Sequence, residues 1–298
     1  MKYKMTKQEK EYLKTYDITK YDRPSVATDI VIFSIMDEEE DDNYRKDVRQ
    51  KLNVLLINRA NYPFKGSWAL PGGFCEKTED VETTAHRELE EETGIRDAFL
   101  ESFDVFGKKD RDPRGWIISN AFLALVDGDK YKVRAGSDAW EACWFSVDID
   151  KKSVGKKSDV KFPEVVNDYT VKLVKSETEL KAVVREKRIF KNYHEQKSYE
   201  LLECNGLAFD HAIIILKAYL NLQYRAENEP VIVFDLMPDL FTWAHLQNAF
   251  EVILGRKLLV ANFRRKLAEY VVETDQTVTG VGHRPAKLFC RNIEKFLK

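Results

Sequence analysis

Glu91 and Glu92 follow Glu88 at three and four positions in the run Arg87-Glu-Leu-Glu-Glu-Glu-Thr-Gly-Ile95. On a helix the three carboxylates fall within an arc of about 100°. Like charges so spaced destabilise an isolated helix by ~0.2–0.5 kcal/mol per pair, and a divalent cation offsets that repulsion directly. Carboxylate oxygens suit Mg²⁺ or Mn²⁺, above all when substrate phosphates complete the shell. The plain alternative is a solvated acidic face. Val81, Ala85 and Leu89 recur every four residues just upstream, which predicts the buried stripe of a helix. Gly94 stands where a left-handed C-terminal cap falls.

The acidic run is not bare. Gly73, then Glu79 six residues on, Arg87 eight further, and the Arg-Glu-Leu-x-Glu-Glu-x-Gly-Ile ending fill every position of the Nudix box. The sequence therefore resembles a Nudix hydrolase. The resemblance implies an α/β fold, a Nudix-type α/β/α sandwich with a mixed sheet, and hydrolysis of a nucleoside diphosphate linked to another group. By position, Glu88, Glu91 and Glu92 would hold Mg²⁺ or Mn²⁺, with Arg87 and Glu79 orienting the carboxylates. Gly72 and Gly73 would let the backbone turn tightly beside metal and phosphates.

Two neighbouring segments bear on substrate. Trp68 precedes the box and suits either the core or a ligand contact. Asp110-Arg-Asp-Pro-Arg-Gly-Trp116 carries Arg111 and Arg114, which could grip phosphate or ribose. The same loop also reads as a polar turn with internal Asp–Arg pairs. It resembles the Arg-Asp-Pro-Arg-Gly segment of the Nudix branch that handles ADP-ribose. Phe64-Lys-Gly-Ser-Trp-Ala-Leu-Pro-Gly-Gly-Phe, Trp144-Phe, Leu207-Ala-Phe-Asp-His-Ala and Asn262-Phe-Arg-Arg-Lys-Leu match that branch too. Departures fall at the charged Glu38–Gln50 insertion and between about 160 and 205. Asp210 and His211 suit either packing at the start of the following helix or a ligand contact.

These residues need elements to hold them. The β-branched run Ala27–Ile35 predicts a buried strand, with Leu52–Asn58 as its partner across a charged loop. Ala121–Val126 reads as another strand, and Trp144–Val147 as the end of that sheet. Lys151–Lys161 reads as a surface crossing, followed by strands at Tyr169–Lys175, Thr178–Val184 and Ser198–Cys204. A helix at His211–Leu222 leads into polar Gln223–Pro230 as a linker. Residues 1–24 read as an arm or helix packed on a Nudix domain spanning 25–225, with inserted strands near 160–205.

Residues 231–298 outline a winged helix. Thr242–Leu254 predicts a helix closed by Gly255, and Asn262 is placed to cap a second one, Phe263–Tyr270. Val271–Glu273 and Lys287–Cys290 then bracket a Gly-containing turn. From Arg256 onward ten Lys and Arg face four Asp and Glu. Asn262, Arg264, Arg265 and Lys266 sit where a recognition helix meets a major groove, and Arg284 and Lys287 flank the wing. The module could bind double-stranded DNA or serve dimerisation with a solvated basic face.

Over all 298 residues, 48 Lys and Arg against 50 Asp and Glu leave a net charge of −2, which names no partner. At 44% hydrophobic the chain is not largely disordered. No apolar run is long enough for a membrane span. The start lacks a secretory signal, and four scattered cysteines fit a reducing, cytoplasmic setting. The sequence reading puts Mg²⁺-dependent hydrolysis of ADP-ribose or a relative first. An ADP-ribose- or sugar-responsive transcriptional regulator stands second, and a homodimer suits both.

Overall fold

The run from Ala27 becomes the centre of a mixed sheet in the computed structural model, which describes residues 4–37, 50–96, 98–131, 139–158, 160–278 and 286–296. The charged insertion 38–49 and the hairpin turn 279–285, with Arg284, lie outside the described residues. Strand β1 (Ser25–Asp37) pairs antiparallel with β2 (Gln50–Arg59), Phe33 standing opposite Val54. Short β3 (Trp68–Ala69) adds to β2. On the other side β5 (Ile117–Leu125) lies parallel to β1, and β4 (Leu100–Phe106) closes that edge. The sheet continues from β2 through β6 (Ala139–Lys157), β7 (Glu164–Lys175), β8 (Thr178–Lys191) and β9 (His194–Asn205), all antiparallel.

Alternation along β1 builds two cores. Ile30 and Ile32 pack with Ala85 and Leu89 of α2 (Val81–Thr93) on one face. Val31, Phe33 and Ile35 pack with α3 (His211–Asn228) on the other. The result is the α/β/α sandwich that the resemblance to Nudix proteins implies. Each large side chain fully buried here is worth about 1.5–3 kcal/mol.

The winged helix follows directly. Thr242 caps α4 (Trp243–Leu254) by accepting from His245 N–H, and Gly255 ends it at φ +65°. Then come α5 (Val260–Leu267) and a hairpin of β10 (Val271–Thr277) and β11 (Lys287–Arg291), to which Phe241 adds a bridge opposite Phe289. Phe250 and Phe263 meet edge to face at 5.2 Å. Leu246, Phe250, Phe263 and Leu267 belong to one continuous cluster with α3 and the sheet.

Four expectations are corrected. Trp144–Val147 does not end the sheet, because β6 runs on through Lys151–Lys157 with exposed side chains while its backbone pairs with β7. Gln223–Asn228 is the last stretch of α3, held by buried Leu222 and Ala226, not a linker. The N-terminal segment forms α1 (Lys7–Thr15), with a capping box between Thr6 and Glu9, but no residue of it is buried. Asn262 lies inside α5, whose N-cap position is Leu259.

Candidate functional site

Segment 71–75 runs beside β1. Thr28 N–H donates to Gly73 O, Ile30 N–H to Pro71 O and Cys75 N–H to Val26 O, all within 2.9 Å. Gly72 takes φ +149°, and a Cβ there would meet Thr28 O at 2.1 Å. A Cβ on Gly73 would lie 2.2 Å from Glu88 Oε1. Gly72 is therefore required by close approach to backbone, whereas at Gly73 a side chain would displace the Glu88 carboxylate.

Helix α2 starts at Asp80, whose carboxylate accepts from Thr83 N–H at 2.8 Å, and stops at Gly94 in the left-handed region. Its acidic residues occupy three environments. Glu92 is buried and accepts from Gly72 N–H at 2.7 Å. Glu88 is largely buried; burial raises its pKa, and only Arg87 pulls the other way to any extent. Glu91 is 60% exposed and receives Arg87 Nη1 at 3.1 Å. Arg87 joins them: it grips Glu79 in a fork, at 2.8 and 3.0 Å, and reaches Glu88 at 2.7 Å. Those bonds, with one from Thr84, hold Glu79 down to about 2. Arg87 and Glu79 thus brace the carboxylates, the role the motif implies.

The donor set fits a hard divalent cation in its chemistry, since the carboxylate residues Glu88 and Glu92 both line one cavity. Among the described residues, no three His, Cys, Asp or Glu side chains converge as a ready metal cage. Arg87 stands between Glu88 and Glu91.

That cavity, of about 220 Å³, lies between β1, the glycine turn, α2 and the 108–116 loop, with Arg59, Phe74, Arg114 and Phe209 also in its walls. A larger cavity, of about 380 Å³, lies between the end of α3 and α5, away from these groups. In the loop, the two arginines separate. Arg114 is held by Asp112, through Nε at 3.0 Å and Nη2 at 2.7 Å, with its guanidinium over Phe74 at 4.9 Å and Phe209 at 5.3 Å. It keeps 40% of its side chain exposed. Arg111 is 5% exposed and clamped, donating to both oxygens of Asp210 at 3.0 and 2.6 Å and to Asp29 at 3.1 Å.

Asp29 also accepts from Ser119 Oγ at 2.6 Å and lies 3.4 Å from His211 Nε2. Burial alone would raise its pKa, but His211, Arg111 and Ser119 together hold it well below the usual carboxylate range. His211 Nδ1 accepts from Leu70 N–H at 2.8 Å, which leaves Nε2 to face Asp29. Trp68 is a core residue, 8% exposed and edge to face with Phe145 at 4.7 Å, and does not line the cavity. Sequence reasoning missed Asp29, Arg59, Phe74 and Phe209. Asp29 left one signal, a carboxylate inside a β-branched run.

In the winged helix, Arg265 donates to Asn262 Oδ1 at 3.1 Å, and Arg264 lies 5.8 Å from the Trp243 ring. Lys266 donates to Glu227 O at 2.8 Å, and Lys287 pairs with Glu273. Arg264 and Arg265 share α5 with Lys266, whose ammonium turns back to α3.

Box, glycine turn and sandwich define a Nudix domain, joined through α3 to a winged helix. Comparison with known proteins agrees with both halves: a family model described as NUDIX domain matches residues 41–160, and one described as NrtR DNA-binding winged helix domain matches 233–290. The ADPR responsive transcriptional repressor NtrR of Acinetobacter baylyi is 30% identical over 285 residues, 94% of this chain and 87% of that one. An ADP-ribose pyrophosphatase of Methanocaldococcus jannaschii is 41% identical over 141 residues, 46% of this chain and 73% of that one. The structure of Shewanella oneidensis NrtR complexed with a 27mer DNA superposes with a TM-score of 0.58 at 25% identity, covering 90% of this chain and 93% of that one. The chain belongs to the NrtR family of Nudix proteins with a C-terminal winged helix. Among the described residues no helix is long and apolar enough to cross a membrane.

Proposed function

We propose that this chain is a DNA-binding transcriptional repressor that responds to ADP-ribose through its Nudix domain. One observation carries the reading: similarity to an ADP-ribose-responsive repressor extends across 94% of the chain and includes the winged helix. The order given by sequence alone, hydrolysis first and regulation second, is thereby reversed. An intact box speaks for metal and nucleotide binding but says nothing of what the last seventy or so residues are for.

In this reading the cavity takes ADP-ribose, with Arg114 and its two aromatic neighbours exposed to it, while Arg111 acts through Asp29 and Asp210. Arg264 and Arg265 on α5, and Lys287 on the wing, meet the duplex; a homodimer presents two such modules to repeated half-sites. The test is a gel-shift series with a fragment of the chain's own promoter and a random duplex of equal length. Tight, salt-sensitive binding of the promoter fragment is expected; equal affinity for both duplexes contradicts the proposal.

Pyrophosphate hydrolysis is the second reading, favoured by the complete box and the bracing of its carboxylates by Arg87. Glu88, Glu91 and Glu92 would hold Mg²⁺, which supplies charge neutralisation of the pyrophosphate and a more acidic attacking water. Release of AMP and ribose 5-phosphate with Mg²⁺ measures it. Glu91→Gln, nearly isosteric, is expected to lower any such rate at least ~100-fold; undiminished turnover removes Glu91 from the chemistry.

A further inference from the structure

We infer that α3 is the rod that carries ligand occupancy from the Nudix cavity to the recognition helix, with Asp210 as its switch at one end and Glu227 as its grip at the other. The inference rests on the regulator reading and deepens it. Asp210 holds the N-cap position of α3, where an aspartate ordinarily accepts hydrogen bonds from the first free N–H groups of its own helix. Here its side chain makes no such bond, and both oxygens are taken by Arg111 from the 108–116 loop. The residue before it, Phe209, is held at φ +52°, a conformation that a bulky side chain rarely adopts, and its ring lines the cavity. Two arrangements are thus open to one carboxylate: paired with Arg111, or capping α3.

Arg111 is the link to ligand. Its Nε and Nη2 donate to Asp210 and Asp29, and it lines the same cavity as Arg114, Glu88 and Glu92. A pyrophosphate entering that cavity adds acceptors and negative charge that compete for the guanidinium. Any loosening of the Arg111 fork frees Asp210 to turn onto its own helix.

The rod is built to carry such a change. Its 18 residues span about 27 Å, and eight of them are buried in the cluster that also holds Phe250, Phe263 and Leu267 of the winged helix. At its far end Glu227 grips the DNA-binding module through both backbone and side chain. Its carbonyl accepts from Lys266 on α5 at 2.8 Å, and its carboxylate pairs with Arg256, just after α4, at 2.8 Å. A shift of α3 along its axis therefore moves the base of α5, with no flexible linker to absorb it.

The experiment measures the DNA dissociation constant of the full chain on its promoter fragment, with and without saturating ADP-ribose, for the unaltered protein, Asp210→Asn and Glu227→Gln. ADP-ribose affinity of each is taken by calorimetry. Asparagine caps a helix well but cannot hold the Arg111 fork as an ion pair. The expected result is a ligand-dependent ratio that falls at least fivefold toward one in both variants. Glu227→Gln, far from the cavity, is expected to bind ADP-ribose within threefold of the unaltered chain. A ratio retained in full by Glu227→Gln overturns the inference, even if Asp210→Asn fails to fold, while leaving the regulator reading intact. A ratio of one in the unaltered protein overturns both.

Discussion

Asp29 shows how much one side chain can hold. A carboxylate on a central strand is costly to bury alone, yet it ties Arg111 of the ligand loop, Ser119 of β5 and His211 of α3 to one point. Removing the charge with Asp29→Asn leaves Arg111 buried with one carboxylate instead of two. The cost approaches that of breaking a buried pair, about 3–5 kcal/mol, to be read from urea unfolding. The pH dependence has a definite sign. Asp29 has a lower pKa folded than unfolded, so the unfolded chain binds more protons in the acid range and stability rises with pH there. Its contribution is complete above about pH 5 and is lost as pH falls below about 4. Asp29→Asn should accordingly flatten the acid side of the stability curve, and an acid limb unchanged by the substitution contradicts the assignment. Arg114 makes the complementary prediction. With its exposed guanidinium over Phe74 and Phe209, Arg114→Ala should reduce the preference for ADP-ribose over ADP in calorimetry. An undiminished preference places recognition of the terminal ribose elsewhere.

Among the elements, those whose instructions are local were legible in the sequence. Helix α2 carries its cap, its buried stripe and its terminal glycine within fifteen residues, from Asp80 to Gly94, so the helix that bears the box could be read from sequence. The same holds for α4 between Thr242 and Gly255. Long-range partners left no such trace. Arg111 meets Asp29 and Asp210 across 82 and 99 residues, so spacing could not tell a clamped arginine from one free to meet ligand. Lys151–Lys157 forms strand by backbone pairing with solvent on its side chains, which erases the alternation that hydropathy detects. The end of α3 was hidden by polar residues on its outer face, although Leu222 and Ala226 continue the buried stripe. The wing offers a prediction at this scale. Among the described residues Lys287 pairs with exposed Glu273, an ion pair weak enough to exchange for phosphate. Lys287→Ala should weaken DNA binding across all sequences and reduce the log–log salt slope by about 0.9 for each phosphate no longer neutralised. A weakening confined to one sequence would mark Lys287 as a base reader instead.

Across the whole molecule, one hydrophobic cluster runs from the sheet through α3 into the winged helix, so the Nudix and winged-helix halves are parts of one packed body. That continuity gives the Nudix box a use that does not depend on turnover: a ligand held in the cavity acts on DNA affinity only if the free and DNA-bound conformations bind it differently. The linkage is reciprocal, so DNA must alter ADP-ribose affinity by the same factor. The most direct measurement is fluorescence anisotropy of a labelled promoter fragment titrated with the full chain at fixed salt, without Mg²⁺ so that ligand is not consumed, across a series of ADP-ribose concentrations. The account predicts a DNA dissociation constant that changes at least tenfold, about 1.4 kcal/mol of coupling, and saturates with ADP-ribose but not with ADP. A tight promoter complex whose affinity is the same at every ADP-ribose concentration would contradict it.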